Sequence, residues 1–123
     1  MSDSRAKVMN IADSQPAAIS GDGAHGVTGL PLLDLAEGTG QFDFRGVRIA
    51  PGGISPDHVH AWVQANYILS GQGRLALDGV THDVGPGDFI YVPPNARHVF
   101  TNTGAADDLV LLAVRGPRVE TDA

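Results

Sequence analysis

Residues 52–71 read GGISPDHVHAWVQANYILSG, and this stretch decides the fold. It contains His58 and His60 one residue apart, then Gln64, and it ends in an apolar run bounded by Gly71. Side chains alternate between the two faces of a β-strand, so the three donors have the same parity and point to one side of a strand over residues 58–70. Imidazole and amide groups in this arrangement predict a strand that binds a metal ion.

The rest of the chain is also divided into short apolar runs. Sixteen Gly and eight Pro are spread along 123 residues, which is typical of a β-sandwich or barrel. Besides residues 58–70, we predict strands at residues 42–50, 73–78, 80–84, 88–92, 96–102 and 108–114. Asp78-Gly79 between two of these runs predicts a two-residue hairpin. Helical periodicity is not sustained, and residues 31–36 are the single helix candidate.

Composition and charge exclude several classes of partner. Eight Lys and Arg against 14 Asp and Glu give a formal net charge of -6, which argues against a nucleic-acid partner. No cysteine is present, so neither disulfides nor thiolate metal sites exist. No apolar run reaches the roughly 18 residues of a membrane span, and residues 1–26 lack a secretory signal. We therefore predict a soluble, cytoplasmic protein without a membrane partner.

The expected organisation is one domain with two extensions. We predict an extended N-terminal arm over residues 1–28, a β-barrel domain over residues 29–116 and a polar tail over residues 117–123. The arm is expected to be partly ordered at best, and it is a candidate to pair with a sheet edge of this subunit or of a neighbour.

His98 supplies a fourth potential ligand on a later strand. Facing strands of a small barrel can bring it close to His58, His60 and Gln64. A site made only of nitrogen and oxygen donors suits a divalent Fe, Mn, Ni, Co or Zn ion better than a soft metal.

Two spaced motifs at these residues resemble those of the cupin superfamily. The first, G(X)5HXH(X)3-4E(X)6G, corresponds to Gly52, His58, His60, Gln64 and Gly71. The second, G(X)5PXG(X)2H(X)3N, corresponds to residues 87, 93, 95, 98 and 102. The resemblance implies an all-β jelly-roll barrel of six to eight strands, a divalent metal held by the four donors, a small-molecule substrate and a homodimer.

Two positions depart from the cupin pattern. Asn95 replaces Gly, and Asn is the non-glycine residue that most readily adopts a left-handed backbone. Gln64 replaces Glu, which leaves one more positive charge at the site and removes a possible catalytic base. Gln64 either binds the metal or leaves three histidines to do so.

Other side chains near the motifs are candidates for supporting roles. Trp62 and Phe100 share parity with the ligands and are candidate walls of a substrate pocket, with core packing as the alternative. Tyr67 and Tyr91 are candidate catalytic phenols. A further group is expected at the surface, in turns or in packing rather than at the metal: Arg97, Asp57 and His82, the last opposite Leu75 in the predicted hairpin.

The sequence leaves three functions open. The leading one is a metal-dependent dioxygenase acting on a small enolisable, oxygenated substrate. The second is a non-redox isomerase or lyase acting on a sugar acid or a related compound, although the sequence offers no obvious cationic cluster to capture a carboxylate. The third is a binding module without turnover. Residues 21–26 fit G-x-G-x-x-G, but no strand–helix context accompanies them, so a dinucleotide site is not expected.

Overall fold

A computed structural model describes residues 6–57 and 59–118, which form a jelly roll of β-strands. A single 3₁₀ turn, Ile11–Asp13, precedes the strands, and no helix within the described residues is long and apolar enough to cross a membrane. The strands are β1 (Ala17–Ile19), β2 (His25–Leu33), β3 (Asp43–Ile54), β4 (Trp62–Ser70), β5 (Gly73–Leu77), β6 (Val80–Val84), β7 (Phe89–Val92), β8 (His98–Asn102) and β9 (Leu109–Arg118).

Two sheets share the long strand β3. Its first part pairs with β2 on one side and with β9 on the other, and β9 continues to β4 and then β7. At its far end Ile54 pairs with Thr101 of β8, which continues to β5 and β6. The strand changes sheets near Gly52, where φ is +77°, a value that glycine adopts at little cost. All the pairings are antiparallel, as a jelly roll requires.

The registers of β3, β9 and β4 arrange the inner face of one sheet in rows. Asp43 pairs with Arg115, and Arg115 pairs with Gln64; one row deeper, Arg45 pairs with Ala113, which pairs with Asn66. Directly paired residues share a face of the sheet. The next rows are apolar and buried, with Val47 and Ile49 on β3, Leu109 and Leu111 on β9 and Ile68 on β4. The interior therefore changes from polar to apolar along the strands.

The hairpin predicted at Asp78-Gly79 is confirmed. Asp78 has φ +49° and Gly79 has φ +85°, and the strands on either side pair in register from Leu77 with Val80 onward. Positive φ at both central positions is the geometry of a type I′ turn. Leu75 also lies opposite His82, as expected from this turn.

Several predicted boundaries were wrong. β4 begins at Trp62 rather than at residue 58, so His60 lies in the connection before the strand. The pairing of β3 with β8 ends here. The Ser55 amide donates a hydrogen bond to the Phe100 carbonyl, and the next residue, Pro56, has no N–H to donate. The segment then turns inward, and the His60 carbonyl accepts a 2.7 Å hydrogen bond from the Asn95 amide.

The helix candidate at residues 31–36 was also wrong. Pro31 belongs to β2, beyond the end of β1, where an edge position tolerates a residue without an N–H. Asp34 and Glu37 instead close a turn, in which each accepts a hydrogen bond from the other's backbone amide, at 2.8 and 3.0 Å. This exchange resembles a capping box but closes only a turn.

The predicted N-terminal arm contributes to the barrel sheet. β1 and the first residues of β2 lie within residues 1–28, and β2 crosses the expected boundary at residue 29. Ala17 pairs with Gly29 and Ile19 with Val27, so the arm pairs within its own chain. Gly29 and Val27 are buried, which anchors this segment.

Candidate metal centre

The imidazoles of His60 and His98 meet inside the barrel. His98 begins β8, and His60 approaches from the connection before β4. Their ring centroids are 4.9 Å apart with the planes at 75°, and both residues are buried, at 9% and 5% exposure. His58, the third predicted histidine, lies outside the described residues.

Backbone carbonyls determine the tautomer of both rings. Nδ1 of His60 lies 3.1 Å from the Trp62 carbonyl oxygen, and Nδ1 of His98 lies 3.0 Å from that of Ala96. A carbonyl oxygen only accepts, so Nδ1 carries the proton in each ring. In the neutral imidazole the lone pair is then on Nε2, the atom available to coordinate an ion.

A chain of amides orients Gln64 toward His60. The Leu112 carbonyl accepts a 3.3 Å hydrogen bond from Asn66 Nδ2, which directs Asn66 Oδ1 toward Gln64. Asn66 Oδ1 accepts from Gln64 Nε2 at 3.1 Å. Gln64 Oε1 is therefore the atom that lies 3.1 Å from His60 Nε2. The network decides which end of the Gln64 amide faces the histidine.

This geometry fits a bound cation. With Nδ1 protonated, His60 Nε2 and Gln64 Oε1 are both acceptors, and their 3.1 Å separation places two lone pairs together. Two ligand atoms each about 2.1 Å from an ion and about 90° apart would be about 3.0 Å from each other. Within residues 6–57 and 59–118 no three His, Cys, Asp or Glu side chains come together as a metal cluster, so the described part of the donor set is two imidazoles and an amide.

The donors face a cavity of about 260 Å³. Its apolar wall comes from both sheets and includes Val27, Val47, Ile49, Phe100 and Leu111. Phe100 is 3% exposed and contributes to the core and to the cavity wall together. Ile19, Ser20 and Asp22, at the end of β1 and in the following turn, also line it. The segment predicted as an arm thus forms part of the site.

Trp62 does not line this cavity. Its ring stacks on His60 with centroids 4.5 Å apart and planes at 11°, and it borders a separate depression together with Leu35 and Pro117. Among the described residues, no acceptor meets its buried Nε1 atom. Trp62 supports the His60 ring instead of forming a pocket wall as predicted.

Tyr67 and Tyr91 face away from the cavity. They are 45% and 53% exposed, and neither is among the cavity-lining residues. Tyr67 alternates with the inward-facing Asn66 and Ile68 along β4, and Tyr91 pairs with Ala65, the residue between Gln64 and Asn66. Both phenols therefore lie on the outer face of the sheet, and their predicted placement at the active site was wrong.

Two cavity-lining arginines, Arg45 and Arg115, were missed by the sequence reasoning. Arg115 forms a bidentate ion pair with Asp43 and lies 5.4 Å from the Trp62 ring centroid. Burial, followed by repulsion from Arg115, lowers the pKa of Arg45 below its ordinary value. Strand alternation could have identified both as inward-facing. Arg45 lies two and four residues from the inward Val47 and Ile49, and Arg115 lies two and four residues from Ala113 and Leu111.

The remaining candidates lie at the surface. Arg97 pairs bidentately with Asp57, and their side chains are 66% and 38% exposed. This pair links the segment before His60 to the segment before His98. His82 is exposed on β6, and His25 is exposed at the start of β2.

The jelly roll and its buried histidines define the class of protein. The family model described as "Cupin domain" matches residues 46–115, and the chain belongs to this family. It resembles the polyketide cyclase RemF from Streptomyces resistomycificus, with a TM-score of 0.82 and 29% identity over 93% of this chain and 82% of that one. It also resembles a predicted oxalate decarboxylase from Thermotoga maritima, with a TM-score of 0.83 and 27% identity over 89% of this chain and 98% of that one.

Curated relatives match a shorter segment. An acireductone dioxygenase from Bacillus thuringiensis subsp. konkukian is 42% identical over 64 residues, which is 48% of this chain and 36% of that protein. An acireductone dioxygenase from Bacillus pumilus is 46% identical over 50 residues, 37% of this chain and 28% of that protein. The matches thus span about a third of these relatives. Together with the family, they imply a metal ion as the cofactor.

Proposed function

We propose that this chain is a metal-dependent enzyme acting on a small, enolisable, oxygenated substrate, with a dioxygenase reaction as the principal candidate. The observation that carries the proposal is the arrangement of His60, His98 and Gln64 beside a cavity walled by apolar side chains. Nδ1 of each imidazole faces a carbonyl, and Gln64 Oε1 lies 3.1 Å from His60 Nε2. His58 completes the proposed ligand set through its place in the first motif.

The acireductone dioxygenase relatives support the redox reading. Their similarity, 42% identity over 64 residues, is stronger in this segment than that of the solved structures over the whole chain. The family match at residues 46–115 includes every proposed ligand. A dioxygenase takes both atoms of O2 into its product, so oxygen is the second substrate in this proposal.

The chain's own residues have separable roles. His60, His98, His58 and Gln64 hold the ion, and the carbonyls of Trp62 and Ala96 keep the Nε2 atoms aimed at it. The ion supplies a Lewis acid for an enolate oxygen and, if it is redox-active, a means of activating O2. The apolar wall formed by Val47, Phe100 and their neighbours excludes water from the reacting atoms.

Non-redox chemistry is the second candidate, and Arg45 and Arg115 favour it. They supply cationic groups for an acidic substrate, which the sequence analysis did not identify. The neutral Gln64 amide leaves more positive charge on the ion than a carboxylate would, which polarises a carbonyl more strongly. The 29% identity to a polyketide cyclase over 93% of this chain is consistent with such a reaction.

Oxygen dependence separates the two candidates. Protein purified without chelators is analysed for metal and loaded in turn with Fe, Mn, Ni, Co and Zn. Each form is then assayed with a panel of diketones, enols and sugar acids in air and under anaerobic conditions. Oxygen uptake that matches product formation supports the dioxygenase, and undiminished anaerobic turnover rejects it in favour of isomerase or lyase chemistry.

A double variant controls for contaminating metal. His60→Ala combined with His98→Ala should abolish turnover while the far-UV spectrum stays that of a β-protein. If no metal form turns over any compound of the panel, the chain is a binding module and the enzyme proposal fails.

A further inference from the structure

We propose that Arg45 and Arg115 form a carboxylate-binding subsite in the cavity, so that the substrate carries a carboxylate in addition to its enolisable oxygens. This inference rests on the proposed function and specifies the class of its substrate. Both guanidinium groups come from the inner face of one sheet, Arg45 from β3 and Arg115 from β9.

The charges around the two arginines do not balance. Asp43 is the carboxylate that pairs with Arg115, which it holds in a bidentate ion pair. Asp22, the acidic residue that lines the cavity, is exposed in the turn after β1. The inner face thus has two cations and one paired anion. Asp43 also attracts Arg45 electrostatically, so two partly buried cations share one anion. The excess positive charge is costly away from water, and a bound anion would reduce that cost.

Arg45 has an unused hydrogen-bond donor. Its Nε is buried, and no acceptor within residues 6–57 and 59–118 receives a hydrogen bond from it. Buried polar atoms are rarely left without partners, so an unpaired Nε on a residue that lines the cavity favours an anionic partner for this side chain. A carboxylate accepts two parallel hydrogen bonds from a guanidinium fork, which is the geometry that this side chain offers.

The subsite adjoins the metal centre. Arg115 is paired in register with Gln64, and Arg45 is separated from Asn66 by Ala113. The small Ala113 side chain leaves space between the arginine and the amide network. An engineered cavity of about 150 Å³ holds benzene, so about 260 Å³ fits a compound of roughly ten non-hydrogen atoms. One such molecule can reach both the ion ligands and the arginines.

An arginine–aspartate ion pair at the surface provides a contrast to Arg45. Arg97 and Asp57 also form a bidentate pair, but they are exposed and neutralise each other. Arg45 differs in lining the cavity and in having no hydrogen-bonded acid within the described part of the chain. The proposal therefore depends on Arg45 most of all.

Acetoacetate and acetylacetone test the subsite, because they have nearly the same shape and differ by a carboxylate oxygen in place of a methyl group. Metal-free protein is titrated with each compound by calorimetry, and the Arg Nε–Hε resonances are followed by NMR. We expect acetoacetate to bind at least about ten-fold more tightly and to shift the Arg45 resonance. Equal affinities would overturn the proposal.

Substitutions assign the effect to Arg45. Arg45→Met should abolish the preference for acetoacetate, and Arg45→Lys should keep part of it because the charge remains without the fork. Arg74→Met, at a surface arginine that is 56% exposed, is the matched control and should leave the preference unchanged. If Arg45→Met keeps the full preference, the proposal is wrong.

Thermal unfolding separates a ligand-binding role from a structural one. Without ligand, Arg45→Met should unfold at a higher temperature than the unmodified protein, since the excess positive charge beside Arg115 is removed. A structural arginine would give the opposite shift. Saturating acetoacetate should raise the unfolding temperature of the unmodified protein but not that of Arg45→Met.

These measurements also distinguish the two proposals. If metal-free protein prefers acetoacetate but no metal form turns over any compound, the subsite is supported and the enzymatic function fails. If metal-loaded protein turns over neutral diketones as fast as carboxylated ones and Arg45→Met has full activity, the function is supported and the subsite fails.

Discussion

Gln64 Oε1 lies 3.1 Å from His60 Nε2, and the two atoms are both acceptors when the neutral imidazole carries its proton on Nδ1. The Trp62 carbonyl fixes the His60 proton on Nδ1, and Asn66 fixes the Gln64 amide with its oxygen toward the histidine. Neither side chain can relieve the repulsion by flipping its amide or changing its neutral tautomer without losing a hydrogen bond elsewhere. A proton on His60 Nε2 or a metal cation between the two atoms resolves it, and the second case gives Gln64 a direct role as a ligand.

Replacing Gln64 should weaken ion binding. Gln64→Met retains the length and shape of the side chain but removes the oxygen, so we expect affinity for a divalent ion such as Ni(II) or Zn(II) to fall by about 10- to 100-fold. Competition with a chelating dye measures the change. Gln72→Met, at an exposed glutamine, is the control. Unchanged affinity in Gln64→Met would mean that the three histidines bind the ion without it.

Asn66 should act on the ion only through Gln64. Asn66→Leu removes the acceptor that holds the Gln64 amide, so ion affinity should fall even though no donor atom is lost. The hydrogen bond to the Leu112 carbonyl is also lost, which costs about 1 kcal/mol of folding free energy.

A double-mutant cycle separates positioning from general damage. If Asn66 works through the Gln64 oxygen, adding Asn66→Leu to Gln64→Met should cause little further loss of ion affinity. Additive losses in the double variant would contradict this role.

The sequence predicted the part of the site that lies in spaced motifs. The spacing of His60, Gln64 and His98 can be read directly from the sequence. The Asp78-Gly79 hairpin depends on only two neighbouring residues. The jelly roll was predicted from the resemblance of the two motifs to those of cupins and from the short apolar runs between Gly and Pro residues. Cytoplasmic location and a homodimer remain predictions.

The missed parts depend on long-range pairing. β2 is paired with β3, some 20 residues away, and nothing in the Gly-rich segment before residue 28 indicates that partner. Arg45 was not singled out because inward positions are usually apolar, yet its parity with Val47 places it among the cavity-lining residues. Tyr67 and Tyr91 were chosen for the chemistry of their phenols alone. Their positions along the strands, which place them outward, were not taken into account.

The single tryptophan should report ion binding. Trp62 is the only Trp in the chain and stacks on His60 at 4.5 Å. A paramagnetic ion such as Co(II) or Ni(II) bound to that imidazole should quench Trp62 fluorescence in a saturable titration. The His60→Ala, His98→Ala double variant should show no saturable quenching. Equal quenching in that variant would place the ion elsewhere.

Gly71 and Gly79 form a matched pair for testing the fold. Both have a left-handed backbone, with φ of +88° and +85°. A Cβ at Gly79 would meet nothing within 4 Å, whereas one at Gly71 would lie 2.3 Å from the Asp108 carbonyl oxygen and 2.8 Å from Leu109 Cα. Gly79→Ala should therefore cost only the backbone strain, about 1–2 kcal/mol. Gly71→Ala adds a clash with backbone that cannot rotate away, for a total of about 3 kcal/mol or more.

Urea unfolding of the two alanine variants measures the difference. Because strain is common to both, the gap between their free energies of unfolding isolates the contact between the end of β4 and the start of β9. That contact closes the sheet beside the apolar end of the cavity, where Leu109 is fully buried. Equal destabilisation by the two substitutions would show that β9 can move away from Gly71 at little cost, contrary to the close packing found here.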